Sequence, residues 1–278
     1  MSNILGVDVS TYQGKIDWSQ VHKSGIKFAI FKIMNKNSKI DPQFENNWKG
    51  CTDNGIEIKG VYNYSYATTV AKAISDAKDV LKILGDRKTT VILDVEDNCQ
   101  KGLGSLLIDI INNYASVIIG SGNKFMIYTG EYFYHTYIEK YANLNYDLWI
   151  ANYGVNDGLP HENKNPKSIK NCVMWQYTSK GVVAGIKGVN DLNIYFGKTT
   201  VVKPPVARPT LRRGSRGTEV KNLQQDLNYT LGDNLVLDGL MGAKTTESLK
   251  RFQAREKIKV DGIYGNTSFK FMTASINR

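Results

Sequence analysis

Through the first two-thirds of the chain, short apolar runs alternate with longer stretches in which apolar residues recur every three or four positions. The runs at 4–9, 27–33, 58–64, 90–96, 124–129, 147–152 and 173–177, with a short piece at 190–193, read as strands. Several are apolar almost without interruption, the pattern of strands buried on both faces. Each of the first five is followed by a helical periodicity, at 17–23, 43–54, 70–84, 105–120 and 131–141. The stretch 154–170 is rich in Gly, Pro, Asn and Lys and reads as loop. Five strand–helix units and then three further strands predict an α/β fold, an irregular (β/α) barrel whose last helices are missing.

The pattern breaks between 197 and 210, where three of the six prolines fall. Prolines this dense stiffen a chain into a spacer and interrupt helix and sheet ladders. Beyond them, Leu237-Asp238-Gly239-Leu240-Met241-Gly242 and Val260-Asp261-Gly262-Ile263-Tyr264-Gly265 repeat one pattern 23 residues apart. Asp-Gly pairs favour tight turns, because Gly accepts positive φ. Helical periodicities at 218–228, burying Val220, Leu223 and Leu227, and at 245–255, burying Leu249 and Phe252, complete two turn–helix units of a small all-α three-helix domain. The expected division is therefore 1–197, a linker at 198–210, and 211–278.

Composition narrows the chemistry. No apolar segment approaches the roughly 18 residues that would span a bilayer, so no membrane insertion is expected. Met1 to Asp8 holds no basic stretch followed by an apolar run, which predicts synthesis in the cytoplasm without a signal peptide. Cys51, Cys99 and Cys172 are odd in number and widely spaced, as for reduced structural thiols. None sits in a nucleophile-like context with His22, His135 or His161, and no His pair has zinc-ligand spacing, so no metal or cofactor is expected. No P-loop or dinucleotide fingerprint is present either. The net charge of +10 suits a polyanionic partner, and equally suits a protein that is merely basic.

In a β/α barrel the working residues sit where strands end and loops converge. Those ends bring Asp8, Tyr62, Tyr64, Asp94, Glu96, Tyr128, Trp149, Asn152, Gln176 and Asp191 towards one mouth. Carboxylates among aromatic platforms are what glycoside hydrolysis needs: one acid protonates the glycosidic oxygen and another handles the oxocarbenium-like charge. The densest signal is Val91-Ile92-Leu93-Asp94-Val95-Glu96-Asp97. Asp94 and Glu96, two apart on a strand, share a face. Their repulsion raises a pKa, so that one remains a proton donor near neutral pH. Asp97 is placed to cap the next helix.

The opening Asp8-Val9-Ser10-Thr11-Tyr12-Gln13-Gly14-Lys15-Ile16-Asp17-Trp18 resembles the signature of glycoside hydrolase family 25 lysozymes. Asp41-Pro42-Gln43-Phe44, Gly60-Val61-Tyr62, Leu93-Asp94-Val95-Glu96, Ile127-Tyr128-Thr129, Leu148-Trp149-Ile150-Ala151, Trp175-Gln176-Tyr177 and Gly188-Val189-Asn190-Asp191-Leu192-Asn193 continue the pattern in order. The resemblance covers roughly 3–197. It implies cleavage of the β-1,4 bond between N-acetylmuramic acid and N-acetylglucosamine in bacterial peptidoglycan, with Glu96 as general acid. It leaves Asp94 either as a nucleophile or as the group that orients the substrate's own 2-acetamido group for attack, the latter being favoured. Asp8 and Asp191 are supporting acids; Tyr62, Tyr64, Tyr128, Trp149, Asn152 and Gln176 are the implied substrate contacts. Two positions depart from the family: Asn63 stands where a His is frequent, and Met34-Asn35-Lys36 where a Thr-Glu pair is common. Both bear on substrate contacts more than on the chemistry.

Residues 211–278 resemble a peptidoglycan-binding domain type, through Leu211-Arg212-Arg213-Gly214-Ser215-Arg216-Gly217, Val220-Lys221-Asn222-Leu223-Gln224 and both Asp-Gly motifs. This segment carries 12 Lys and Arg against seven Asp and Glu, which favours a polyanionic wall. The combined expectation is a phage-type endolysin acting at the bacterial wall, with peptidoglycan and no nucleic acid as partner. A bacterial autolysin, a wall-binding protein that has lost catalysis, and a chitinase-like enzyme are the alternatives. The last lacks its acids before the Glu, since Thr90 and Ile92 stand there.

Overall fold

The computed structural model describes residues 4–142, 144–197 and 210–275. Eight strands close into a barrel in chain order: β1 (Ile4–Val9), β2 (Phe28–Lys32), β3 (Glu57–Tyr64), β4 (Thr90–Asp94), β5 (Lys124–Gly130), β6 (Asp147–Ala151), β7 (Cys172–Gly181) and β8 (Asn190–Tyr195). β1 to β7 run parallel to their sequential neighbours, whereas β8 is antiparallel to both β7 and β1. Chain length explains the reversal. Only residues 182–189 separate β7 from β8, and a parallel crossover needs a dozen or more. Residues 152–171, between β6 and β7, are enough for a crossover without an α-helix, and hold two short 3₁₀ turns.

The helices α1 (Trp18–Lys23), α2 (Phe44–Asp53), α3 (Val70–Leu84) and α4 (Ser105–Gly120) pack outside the barrel. Their limits follow from local chemistry. The Asp17 carboxylate accepts from the Ser19 and Gln20 amides to start α1. Thr69 Oγ1 accepts from the Lys72 amide at 3.1 Å to start α3. Gly85, at φ 59°, ends α3 in a conformation that only Gly takes cheaply. The helix expected at 131–141 is instead a short α5 (Glu131–Phe133) that runs into a π-helical turn, Tyr134–Glu139. The rings of Phe133 and Tyr137 pack 4.8 Å apart across this wider turn.

Alternation along the strands builds two cores. Outward residues such as Val7, Phe31, Val61, Leu93 and Ile127 meet Phe44, Ile74, Val80, Leu107 and Ile111 of the helices. Inward residues Phe28, Ile30, Ile92, Met126, Tyr128, Trp149, Met174 and Tyr195 fill the barrel. Gly6 makes that plug possible: a Cβ there would lie 2.3 Å from the Phe28 ring. The interior is thus solid below, and polar side chains collect above it.

Beyond the barrel, α6 (Thr218–Leu231), α7 (Ala243–Arg255) and α8 (Asn266–Ser275) enclose a separate core of Val220, Leu223, Leu227, Leu249, Phe252 and Met272. The internal repeat has a structural meaning. Gln224 Nε2 donates to Asp238 Oδ1, the Leu240 carbonyl and Thr245 Oγ1, while its Oε1 accepts from the Gly239 amide. Gln253 does the same at the second turn with Asp261, Ile263, Ser268 and the Gly262 amide. Contacts reach the barrel's helices: the Ser105 and Thr218 hydroxyls meet at 3.0 Å, the Asn222 amide donates to the Asp109 carboxylate on α4, and Ala71 of α3 packs against the helical core. The expected linker at 198–210 lies, except for Thr210, outside the described residues.

Candidate active site

The cleft opens at the C-terminal ends of β1 to β7, a hollow of about 420 Å³. Asp8, Tyr62, Tyr64, Asp94, Glu96, Tyr128, Trp149, Gln176 and Asp191 all line it. Size does not single it out. A hollow of about 740 Å³ at the other end of the barrel, lined by Lys59, Lys88, Lys124 and Asp147, is larger. What distinguishes the smaller one is four converging carboxylates.

Each carboxylate arrives by a different route. Asp8 ends the apolar run of β1, and Asp94 closes β4. Glu96 lies beyond the strand proper, which stops two residues earlier than the sequence pattern suggests. Val95 still donates to the Tyr128 carbonyl at 2.9 Å and accepts from Thr129 Oγ1 at 2.6 Å, so this stretch stays fixed against β5. Asp94 and Glu96 therefore keep their common face. Asp191 reaches the mouth from the start of β8 rather than its end, because that strand runs backwards, and it stands directly across from Asp8 in the β1–β8 register.

Burial and mutual repulsion push all four acids towards protonation. Burial raises Asp8 to about 6, opposed by hydrogen bonds from Asn193 and Gln176. Burial, then the charges of Asp8 and Glu96, raise Asp191 to about 8. Burial, then Glu96 and Asp8, hold Asp94 well above the usual carboxylate range, with Lys32 pulling the other way. Glu96 is raised by burial, then by Asp8 and Asp97. Reach favours Glu96 as the donor. Asp94 is 5 % exposed at the floor with Oδ1 unpartnered, whereas Glu96 is longer and only partly buried.

The remaining sequence candidates separate into three groups. Tyr62 and Tyr64 face the cleft. Tyr64 donates to Asp97 Oδ2 at 3.1 Å, and its ring lies 4.9 Å from that of Tyr66. Asp97 caps a 3₁₀ turn (Asn98–Gln100) by accepting from the Cys99 amide, a helical turn rather than an α-helix. Tyr128, Trp149 and Gln176 are nearly buried and spend their polar atoms on one another's neighbours. The Tyr128 hydroxyl donates to Gln176 Oε1 at 2.8 Å, and the Trp149 indole donates to Asn193 Oδ1 at 2.8 Å. Gln176, expected as a sugar contact, lines the cleft and bridges Tyr128 to Asp8, donating to Asp8 Oδ2 at 2.9 Å. Asn152 is not brought into the cleft wall. β6 ends before it, its side chain donates to Glu131, and its carbonyl accepts from the Trp175 indole.

Four further residues line the cleft: Tyr12, Lys32, Tyr66 and Tyr153. Lys32, a cation closing the apolar run of β2, was not singled out by the sequence pattern. Tyr66 continues the period-two series Tyr62, Tyr64 that points to one face. Tyr12 stands nearly fully exposed at the rim. Tyr153 carried no signal, since its place depends on how the chain leaves β6. Among the described residues no group of His, Cys, Asp and Glu is arranged to hold a metal ion, and no helix is long and apolar enough to cross a membrane. The three cysteines are free thiols, each pushed up by burial above the usual thiol range.

Comparison with known proteins agrees with this arrangement. The family described as "Glycosyl hydrolases family 25" matches residues 7–186, and the one described as "Putative peptidoglycan binding domain" matches 216–272. The chain is 32 % identical over 207 residues to the protein YegX of Escherichia coli O157:H7, covering 70 % of each. It is 29 % identical over 271 residues to the autolytic lysozyme of Clostridium acetobutylicum, covering 95 % of this chain and 77 % of that one. The solved catalytic domain of the endolysin Ply40 from Listeria monocytogenes bacteriophage P40 superposes with a TM-score of 0.57 at 26 % identity, covering 69 % of this chain and 92 % of that one. The chain is a lysozyme, a peptidoglycan hydrolase that belongs to glycosyl hydrolase family 25 and carries a peptidoglycan-binding region after its barrel.

Proposed function

We propose that this lysozyme is a muramidase: it cleaves the β-1,4 bond from C1 of N-acetylmuramic acid to O4 of N-acetylglucosamine. Residues 1–197 act as the catalytic domain, 198–210 as linker and 211–278 as the domain that holds the wall. The observation that carries the reading is the floor of the cleft, where Glu96 stands partly exposed beside the deeper Asp94.

Glu96 enters the reaction protonated and gives its proton to the glycosidic O4 as the C1–O4 bond breaks. The acetamido oxygen of the muramic acid closes onto C1 from the opposite face, forming an oxazolinium ion. Asp94 takes the acetamido N–H on its unpartnered Oδ1 and balances the charge that develops there. Water then attacks C1 as the bond from C1 to the acetamido oxygen breaks and the acetamido group is restored; the water gives its proton to the Glu96 carboxylate, and the configuration is retained. Asp8 supplies negative charge behind the pair, and Asp191 stands across from it. Tyr12, Tyr62, Tyr64 and Tyr66 offer ring faces and hydroxyls to successive sugars.

A role as a phage endolysin, made in the host cytoplasm and released to the wall, is supported by the likeness to the Ply40 catalytic domain. The autolytic lysozyme, matched across both regions, supports an autolysin as second reading. Expression in a host with and without a membrane-perforating partner separates them: an endolysin lyses only with the perforation. The bond assignment is tested by digesting purified peptidoglycan, reducing the products with borohydride and weighing them by mass spectrometry. Reduced N-acetylmuramic acid ends are expected. Reduced N-acetylglucosamine ends, or freed peptides, would overturn it.

A further inference from the structure

Asp8 is held by a closed set of directional hydrogen bonds. Its Oδ2 accepts from Gln176 Nε2 at 2.9 Å and from Asn193 Nδ2 at 2.8 Å. Neither amide is free to turn over. Asn193 Oδ1 accepts from the Trp149 indole at 2.8 Å, and an indole N–H only donates, so the NH₂ of Asn193 must face Asp8. Gln176 Oε1 accepts from the hydroxyls of Tyr128 at 2.8 Å and Tyr153 at 2.5 Å, and a turned amide would set that oxygen against the Asp8 carboxylate. Asp8, Gln176 and Asn193 are 6 %, 3 % and 0 % exposed, so water does not compete for these bonds. Oδ2, which accepts two amide hydrogens at these distances, has no place for a proton, so only Oδ1 is left to take one.

We propose that Gln176 and Asn193 are positioning residues, locked by Tyr128, Tyr153 and Trp149, that hold Asp8 as an ionised carboxylate facing the Asp94–Glu96 pair. The assignment rests on the muramidase reading for its purpose, though the hydrogen-bond set stands without it. Its consequence is electrostatic. Charge-assisted bonds from two fixed dipoles stabilise the anion at a depth where burial alone would neutralise it. Asp8 is lowered by both amides against the effect of burial, and its charge in turn raises Glu96, keeping the proton there. The titratable groups around Asp8 are Lys32 from β2, Tyr62 from β3, Asp94 and Glu96 at the end of β4, Tyr128 from β5, Tyr153 after β6 and Asp191 from β8. Among the described residues, the side chains that donate hydrogen bonds to Asp8 are these two amides.

The test uses the full chain with Asn193→Leu, Gln176→Met and the milder Tyr153→Phe, each checked for folding by near-UV circular dichroism. The Asp8 side-chain carboxyl is titrated by carbon-13 NMR, and the pH profile of kcat/KM is taken on soluble peptidoglycan fragments beside Glu96→Gln. Loss of either amide raises the Asp8 midpoint by about one pH unit, and Tyr153→Phe moves it less, in the same direction. The activity bell narrows from both sides: its acid limb rises with Asp8, and its alkaline limb falls as Glu96 loses the charge that raised it. An unmoved Asp8 midpoint in any folded variant, or a uniform loss of rate with both limbs in place, overturns the proposal. A wild-type chain that cleaves no glycan overturns the muramidase reading, while the NMR titration still decides this one.

Discussion

At the scale of single residues, the cleft pairs strained electrostatics with function. Four acids share a volume that cannot accommodate four charges, and the folded chain meets this by keeping protons. The cost appears in the pH dependence of stability. Asp191 is raised from its ordinary 3.8 to about 8, so between those values the folded state binds more protons than the unfolded one. Stability therefore falls as pH rises from about 4 to about 8. Asp191→Asn cannot ionise and removes this part of the slope. The variant should melt roughly 2–4 °C higher at pH 8 with little change at pH 4, as read by calorimetry; an unchanged slope would put the load on another acid. The acid pair was legible in the sequence, because acid–x–acid at the end of an apolar strand forces a shared face. The tie of Gln176 to Asp8 was not legible in the sequence, for a physical reason. An amide near a cleft can face sugar or carboxylate, and only the positions of Tyr128, Tyr153 and Asp8 decide which.

At the scale of elements, strands were readable because burial on both faces leaves uninterrupted apolar runs, and α3 and α4 matched their periodicity end to end. Strand direction was the less visible property. It was encoded in spacing, since residues 182–189 are too few for a parallel return, but the hydrophobic pattern does not record direction. The consequence is functional, for the reversal of β8 is what sets Asp191 opposite Asp8. Close strand contact sets another requirement. A Cβ at Gly60 would lie 2.7 Å from the Thr90 carbonyl, a backbone atom that cannot swing aside, and the β2–β3 register shifts at this level. Gly60→Ala should destabilise the chain by about 1–3 kcal/mol in urea denaturation. It should also slow catalysis, because β3 and β4 carry Tyr62 and Asp94. A variant as stable as the parent would show that the barrel yields here.

At the scale of the whole molecule, the barrel and the helical region each have a core of their own. Asn222 to Asp109 and Thr218 to Ser105 set α6 against α4. The helical region depends on two glutamines whose importance the repeat only hinted at, since a 23-residue echo marks the turns and not what ties them down. Gln224→Leu strands the Gly239 amide, a loss of about 1–3 kcal/mol. Binding to insoluble wall should then fail at a lower temperature than in the parent, while cleavage of soluble glycan continues. Simultaneous loss of both would mean that the two regions unfold as one.

The claim on which all scales converge is that Glu96 protonates the leaving oxygen. The most direct measurement compares Glu96→Gln with the parent on two soluble substrates, a natural glycan fragment and one whose leaving sugar is replaced by dinitrophenolate, which departs without a proton. The variant should lose about 10²–10⁴-fold on the natural bond and close to nothing in the bond-breaking step of the activated one. Equal losses on both substrates would contradict the assignment and move the acid to another carboxylate of the cleft.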